Sequence, residues 1–270
     1  MPKIFCIGEC ALSVSFDGPA ARAGLYGDIA NAAAILGRRG APVHMLSEAA
    51  DDPVGQAAVD ALAAAGADTS AIDRFTEGST PVVVSMSPGA EAIRYERYGD
   101  ECFDIVWPDI TRGDIVIFGE YYALDPRMRT RMVPLLDNAA ERGAAMVYLP
   151  GFMAAQAPRI TRVMPAILDN LERAHIVAAS AASLGAIFGE SDSAACYERH
   201  IRYSAPVLAC CDGTAATVHA PGGVTASVPS TAGTAALAAS IARVLANGTP
   251  DSSVLPNLTP QDAAAIIQPL

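Results

Sequence analysis

The stretch VPSTAGTAALAASIARVL, residues 228–245, has the form of a strand, a turn of small residues and an alanine-rich helix. Gly233 stands at the turn, with Ala232 before it and Thr234 after it. The first N–H groups of a helix have no partner inside it, and they carry the positive end of the helix dipole. A junction of this kind holds an anion, and phosphate chemistry is the use to look for. The stretch contains no acidic residue, so any carboxylate for that chemistry must come from elsewhere.

Other reactive side chains are dispersed. Glu120 follows the apolar run DIVIFG, where it is either a ligand contact or a solvated strand end. Asp28 opens the segment DIANAAAILGRRG and reads as an N-cap. Asn31, one turn on, is equally a ligand contact or a local brace for the helix start. Arg97 lies near Glu96 and Glu101, so it is a cleft cation only if it points inward, and otherwise a surface ion pair. Asp51 and Asp52 read as loop and helix-start residues. Cys6, Cys10, Cys102, Cys196, Cys210 and Cys211 show no CxxC spacing, which argues against zinc and for free thiols in a cytoplasmic protein. Cys210 and Cys211 are adjacent in a strand, so their side chains point apart, and no base stands beside them. The four histidines, 44, 175, 200 and 219, have no metal-ligand spacing and read as structural or surface residues.

The elements that must position these residues follow from composition and pattern. The chain has 270 residues, of which 51% are hydrophobic, enough for one large α/β domain. A formal charge of −11 argues against a nucleic-acid surface. No apolar run approaches the ~18 residues of a membrane span. MPKIFCIGEC reads as a strand, not a signal peptide. Strand signals at KIFCIGE, PVHMLSEA, DIVIFGE, AAMVYLP, HIVAAS and APVLACC alternate with helical segments. The alternation predicts a parallel sheet covered by helices on both faces, with ligands at the carboxyl ends of the strands. TPVVVSMSP and AIRYERYG predict a projecting hairpin, GTAATVHAPGGVTASVP a second one, and DSAACYERHIRY a single helix.

Several of these segments, in order, resemble the ribokinase-type (phosphofructokinase B) family of sugar kinases. IGECALSVSF is similar to its first strand, YGDIANAAAILGRRG to its Gly-Gly/Asn helix, and DDPVGQAAVDALAAAGADTSAI to its D-D-x-x-G helix and following loop. The resemblance implies a three-layer α/β/α domain over 1–270, with a small β-lid drawn from about 9–20 and 80–100. It implies phosphoryl transfer from ATP to a sugar or nucleoside hydroxyl, with Mg²⁺ at the phosphates. On the sugar side, Ser13 replaces the family's first-strand Asp, and Tyr26–Gly27 stands at the Gly-Gly pair beside Asp28 and Asn31. Glu120 matches a strand-end carboxylate that contacts sugar, and Arg97 a lid arginine of sugar-acid and fructose kinases.

On the ATP side the pattern departs from the family. PSTAGTA matches D-T-x-G-A-G-D with Thr231 and Gly233 at the glycines and Thr234 at the base, and a threonine hydroxyl cannot accept a proton as a carboxylate does. Ser180 and Ser183 stand where N-x-x-E organises metal and phosphates. LPGFM, with Leu149 and Met153, replaces D-P-N-x-R. CCDGTAA, with Asp212 and Gly213, replaces the nucleotide loop T-x-G-x-x-G. Residues 246–270 are fewer than the helices that wall adenine in the family. The expectation is therefore a sugar kinase relative that has lost phosphoryl transfer, with no ATP or Mg²⁺ as cofactor and no nucleic-acid or membrane partner. It would bind a sugar-like or anionic ligand, in a sensing or interaction role, as a homodimer through the lid. The alternative is an active sugar or sugar-acid kinase using ATP and Mg²⁺, with Glu120 or Asp212 as the base.

Overall fold

The computed structural model describes residues 1–86, 92–97, 107–152, 159–248, 255 and 257–269. From the N-terminus, β1 (Ile4–Ile7) leads into β2 (Ala11–Asp17) and β3 (Ala20–Tyr26), then α1 (Asp28–Arg38), β4 (Val43–Ala50) and α2 (Pro53–Ala64). Three short strands follow, β5 (Ile72–Phe75), β6 (Ser79–Ser85) and β7 (Ala92–Arg97). The second half alternates β8 (Ile115–Gly119), α3 (Pro126–Glu141), β9 (Ala145–Leu149), α4 (Ile160–Arg173), β10 (Ile176–Ser180), α5 (Ala181–Phe188) and α6 (Ser193–Cys196). It closes with β11 (Val207–Cys211), β12 (Ala215–Ala220), β13 (Val224–Pro229), α7 (Thr234–Ala246) and α8 (Pro260–Ile266).

Nine strands form the main sheet in the order β13-β12-β11-β10-β9-β8-β1-β4-β5. It is parallel from β11 to β5, and the β12–β13 hairpin adds an antiparallel edge. IFCI, IVIFG, AMVYL and VLACC are buried along their whole length because helices cover both faces. Alternation sends Ile4 and Cys6 to the face covered by α1, α2, α7 and α8, and Phe5 and Ile7 to the face covered by α3 to α6. Among the described residues, no helix is long and apolar enough to cross a membrane.

A second, four-stranded sheet has the order β3-β2-β6-β7 and takes in the segments expected as the lid. It includes β3, whose residues beyond 20 lie outside the sequence expectation for the lid. Asp52 and Thr80 join it to the core. Asp52 caps α2 by accepting from Gly55 N at 2.6 Å, and its other oxygen accepts from Thr80 N at 2.9 Å. The Thr80 hydroxyl accepts in turn from Ala50 N at 2.9 Å. The single helix expected over residues 192–203 is shorter: α6 ends at Cys196 and runs into a π-helical turn, Tyr197–Ile201.

α1 and α7 pack against each other on one face of the sheet. Both are alanine-rich, with Ala30, Ala33, Ala238 and Ala242 fully buried, so no bulky side chain holds them apart. Their N-termini therefore meet at the carboxyl ends of the central strands, where open α/β sheets bind ligands.

Candidate functional site

Where those ends meet, a cleft of about 260 Å³ opens. Tyr26, Asp28, Asn31, Glu120, Phe152 and Thr234 are among its walls. The volume is at the small end of ligand sites, which run from roughly 300 Å³ upward. A larger groove of about 1010 Å³ lies between α3 and α4, away from every residue singled out above. Its Arg129 is committed to Asp169 and Asn170, so we place the chemistry in the smaller cleft.

Glu120 follows β8 and is held at φ 56, the one non-glycine residue with positive φ among those described. That conformation is strained for a side chain, and its surroundings maintain it. Its backbone N–H donates to Leu149 O at 2.7 Å. Its Oε1 accepts from Asp28 N at 2.6 Å and it also takes the Ile29 N–H, so Glu120 caps α1 from outside. Gly27, at φ 89, makes room for the carboxylate: a Cβ there would lie 2.9 Å from Oε2. Oε2 itself is shielded from solvent and has no hydrogen-bond partner. Burial first, then the charges of Asp28 and Glu9, push the carboxyl up to about 8, against the two helix N–H groups. Glu120 is thus a buried cap and not a solvated strand end.

Asp28 is the first residue of α1, and the N-cap position belongs to Gly27. Its carboxylate serves a different helix. It faces the first turn of α7, where burial raises its pKa and the Ala235 N–H and the Thr234 hydroxyl oppose the rise. The N-cap of α7, Gly233, has no side chain to do this work. Ala232 N–H is also occupied, by the Ser230 hydroxyl at 3.1 Å. The negative charge facing this helix start is therefore the protein's own, and Thr234, itself buried, lies beside it.

The remaining candidates divide. Asn31 donates to Leu25 O at 3.1 Å and to Gly27 O at 2.7 Å, bracing the turn into α1 while facing the cleft. Ser180 caps α5 by accepting from Ser183 N at 3.1 Å, and the Ser183 hydroxyl accepts from Phe152 N at 3.0 Å. Both line the cleft, Ser180 as a helix cap and Ser183 as a brace for Phe152. Ser13 lies in the lid sheet, its hydroxyl directed to Gly24 O at 3.3 Å, and does not line the cleft. Asp212 is also away from it: one oxygen accepts from Thr214 N at 2.8 Å, the Thr214 hydroxyl at 2.7 Å and Ala215 N at 2.8 Å. These bonds, Ala215 N–H foremost, hold its pKa below the usual carboxylate range, so Asp212 shapes a turn with Gly213 (φ 88) and is a poor proton acceptor. Arg97 is paired to Ser79 in β7 by its backbone, but its side chain, like Met153 and Cys102, lies outside the described residues.

One group escaped sequence reasoning, and another was named only for its place in a family pattern. Glu9, just past β1, forms a bidentate ion pair with Arg94 of β7, one contact at 2.8 Å, and so ties lid to core. Its position at a strand end was the available signal. Tyr26 lines the cleft, with its hydroxyl pKa raised by burial and by Glu9 and Glu120. Cys210 and Cys211 face opposite sides of the sheet, as alternation requires. Burial pushes Cys210 up to about 12 and raises Cys211 as well, so neither is a ready nucleophile.

Residues 1–205, which contain Asp28 and Glu120, match the family model described as pfkB family carbohydrate kinase. The fold is similar to that of fructokinase from Vibrio cholerae O395, solved with fructose, ADP and calcium ion (TM-score 0.83, 14% identity, 98% of this chain and 90% of that one). It is similar to fructokinase from Xylella fastidiosa with bound ATP (TM-score 0.76, 17% identity, 98% and 89%). Aminoimidazole riboside kinase from Salmonella enterica, complexed with aminoimidazole riboside and an ATP analog, is another neighbour (TM-score 0.76, 13% identity, 98% and 90%). At these identities the likeness is one of fold. No curated protein matches the chain in sequence.

Proposed function

This chain belongs to the pfkB family of carbohydrate kinases, and from that premise we propose that it binds a small sugar-like ligand in the cleft and has lost ATP-dependent phosphoryl transfer. The observation that carries this reading is the Asp28 carboxylate on the first turn of α7. A transferring phosphate would need the same N–H groups and would meet a fixed negative charge. Two unit charges 4 Å apart repel by about 4 kcal/mol at an effective dielectric of 20. Thr234 offers no proton acceptor, and loss of a general base lowers rates by about 10²–10⁴.

The residues present also fit ATP–Mg²⁺ poorly. Ser180 and Asp212 hold the backbone of their own helix start and turn, and the Ser183 hydroxyl holds the Phe152 N–H. The sugar-side group of Gly27, Asn31 and Glu120 meets around the cleft. A ligand-sensing or interaction role follows. Ile93 and Tyr95, exposed on the edge strand β7, support association through the lid.

A second reading has one observation in its favour. Asp28 lies beside the residue at the family's base position and keeps a raised pKa, so it could accept the proton in place of Thr234. Incubation with ATP–Mg²⁺ and fructose or ribose separates the two. The preferred reading expects no ADP release and no thermal stabilisation by ATP–Mg²⁺. Turnover that Asp28→Asn abolishes would establish the second reading instead.

A further inference from the structure

The cleft carries two acidic groups, Asp28 and Glu120, and no basic side chain among its described lining residues. The two acids are adjacent, since Glu120 Oε1 accepts the backbone N–H of Asp28 itself. Arg94, whose charge reaches Tyr26 at the cleft wall, is held by Glu9. Glu120 Oε2 is shielded and unpartnered, which is costly for a carboxylate and signals a group that a ligand can satisfy. The surroundings fix it there: Gly27 lies against the carboxylate, and a Cβ on Gly151 would meet Glu120 Cγ at 2.8 Å.

Neutral hydrogen-bonding capacity sits beside this acidic edge. The Ser180 hydroxyl accepts from Ser183 and retains its own proton to donate. Asn31 donates through Nδ2, which leaves Oδ1 to accept. A polyol can use both groups, but a neutral polyol brings the acids no cation, and a phosphate is repelled by them. A ligand with one positive charge satisfies every group at once.

We propose that the cleft recognises a small polyhydroxylated amine of the amino-sugar class, its ammonium seated by Asp28 and Glu120 and its hydroxyls by Asn31 and Ser180. The inference deepens the preceding reading by naming the ligand class of the same cleft, and it rests on that cleft being a ligand site. It carries a proton linkage. Burial keeps Glu120 largely protonated near neutrality, so an arriving ammonium drives it to ionise and the displaced proton passes to the buffer.

The test uses matched pairs that differ in the amine: D-glucosamine and D-glucose, D-galactosamine and D-galactose, 1-amino-1-deoxy-D-fructose and D-fructose. Thermal shift and titration calorimetry at neutral pH are expected to show at least one amine binding about tenfold or more tighter than its neutral partner. Calorimetry in two buffers of different ionisation enthalpy should show proton release for that amine alone. Glu120→Gln is expected to abolish the proton release and most of the preference. Asp28→Asn, which leaves Glu120 in place, should reduce the preference independently. Equal or tighter binding of the neutral member in every pair, or no stabilisation by any of the six compounds, overturns the proposal. Sugar-dependent ADP release would instead overturn the loss of phosphoryl transfer and leave the amine preference to be read from binding.

Discussion

The Asp28 carboxylate faces the Thr234 hydroxyl and the Ala235 N–H, so the first residue of α1 stands at the start of α7. Glu120, from the end of β8, caps α1 in its turn. The two carboxylates form a relay, each occupying the positive end of a helix to which it does not belong.

Removing the second member should expose what it covers. Asp28→Ala is expected to cost about 1–2 kcal/mol, the usual loss for a cap. It should also free the N–H of Ala235, next to Gly233, whose side is already open: no atom lies within 4 Å of a Cβ placed there. Inorganic phosphate should then raise the melting temperature of the variant, relative to chloride at equal ionic strength, and leave the natural protein unchanged. Stabilisation of both to the same extent would refute occupation of the helix start by Asp28.

Restoring a carboxylate in α7 should harm the protein as it stands. Thr234→Asp places two acids on one helix start and removes the hydroxyl that faces Asp28. In the Asp28→Ala background the same substitution should be close to neutral. Urea unfolding of the four proteins is expected to give a coupling energy of about 1–3 kcal/mol, with the double variant better than the single losses predict.

Stability should fall as pH rises from mildly acid to mildly alkaline. Glu48 and Glu120 are both pushed up to about 8, chiefly by burial. A raised carboxyl binds its proton more tightly in the folded state. Its contribution is complete below the ordinary value of 4.5 and is lost as pH climbs through about 8. Each group contributes a slope of up to about 1.4 kcal/mol per pH unit. Asp52 and Asp125 act oppositely: against burial, the Gly55 and Thr80 N–H groups hold the first low and the Arg127 side chain and N–H the second, and their contribution is lost as pH falls through their depressed values. Melting temperatures across the range from about pH 4 to 9 should therefore peak near pH 5. Glu48→Gln should flatten the alkaline side, because both Glu48 oxygens are buried without a hydrogen bond. An unchanged profile would show that Glu48 is not the titrating group.

Gly27→Ala tests the seat of Glu120. The residue needs φ 89, and the added carbon would lie 2.9 Å from Oε2. We expect a loss of about 2–3 kcal/mol together with loss of ligand preference. Gly248→Ala is the control, with a similar φ of 79 and nothing within 4 Å, and should cost only about 1 kcal/mol.

Much of this architecture was legible in the residue pattern. Runs such as IVIFG and VLACC are apolar at every position, and only a strand covered on both faces permits that. Asp52–Pro53 marked the start of α2 through two local rules, a carboxylate cap and a proline at the first helical position. β3 was not legible because AARAGLY is largely exposed and lacks alternation, so its strand form depends on pairing with β2. Ser180 and Ser183 drew attention through a family pattern, while the local reading of a serine before an apolar run, a helix cap, describes what Ser180 does. The roles of Asp28 and Glu120 were beyond any local rule. Each caps a helix whose start lies far away in the chain, and no spacing encodes such a partnership. Lid geometry had the same limit: the pairing of Arg94 in β7 with Glu9 past β1 is one that no spacing encodes.

The carboxylate relay also fixes when the cleft can come into being. It joins residues 28, 120 and 234, so a chain emerging in order cannot close the site until residue 234 has been made. Contacts of such sequence separation are slow to form, because loop-closure entropy must be overcome before they stabilise anything. The cleft should therefore be among the last parts to consolidate. Its state should also be reported at a distance: amides in the first turns of α1 and α7 should gain or lose hydrogen-exchange protection together, as one cooperative unit.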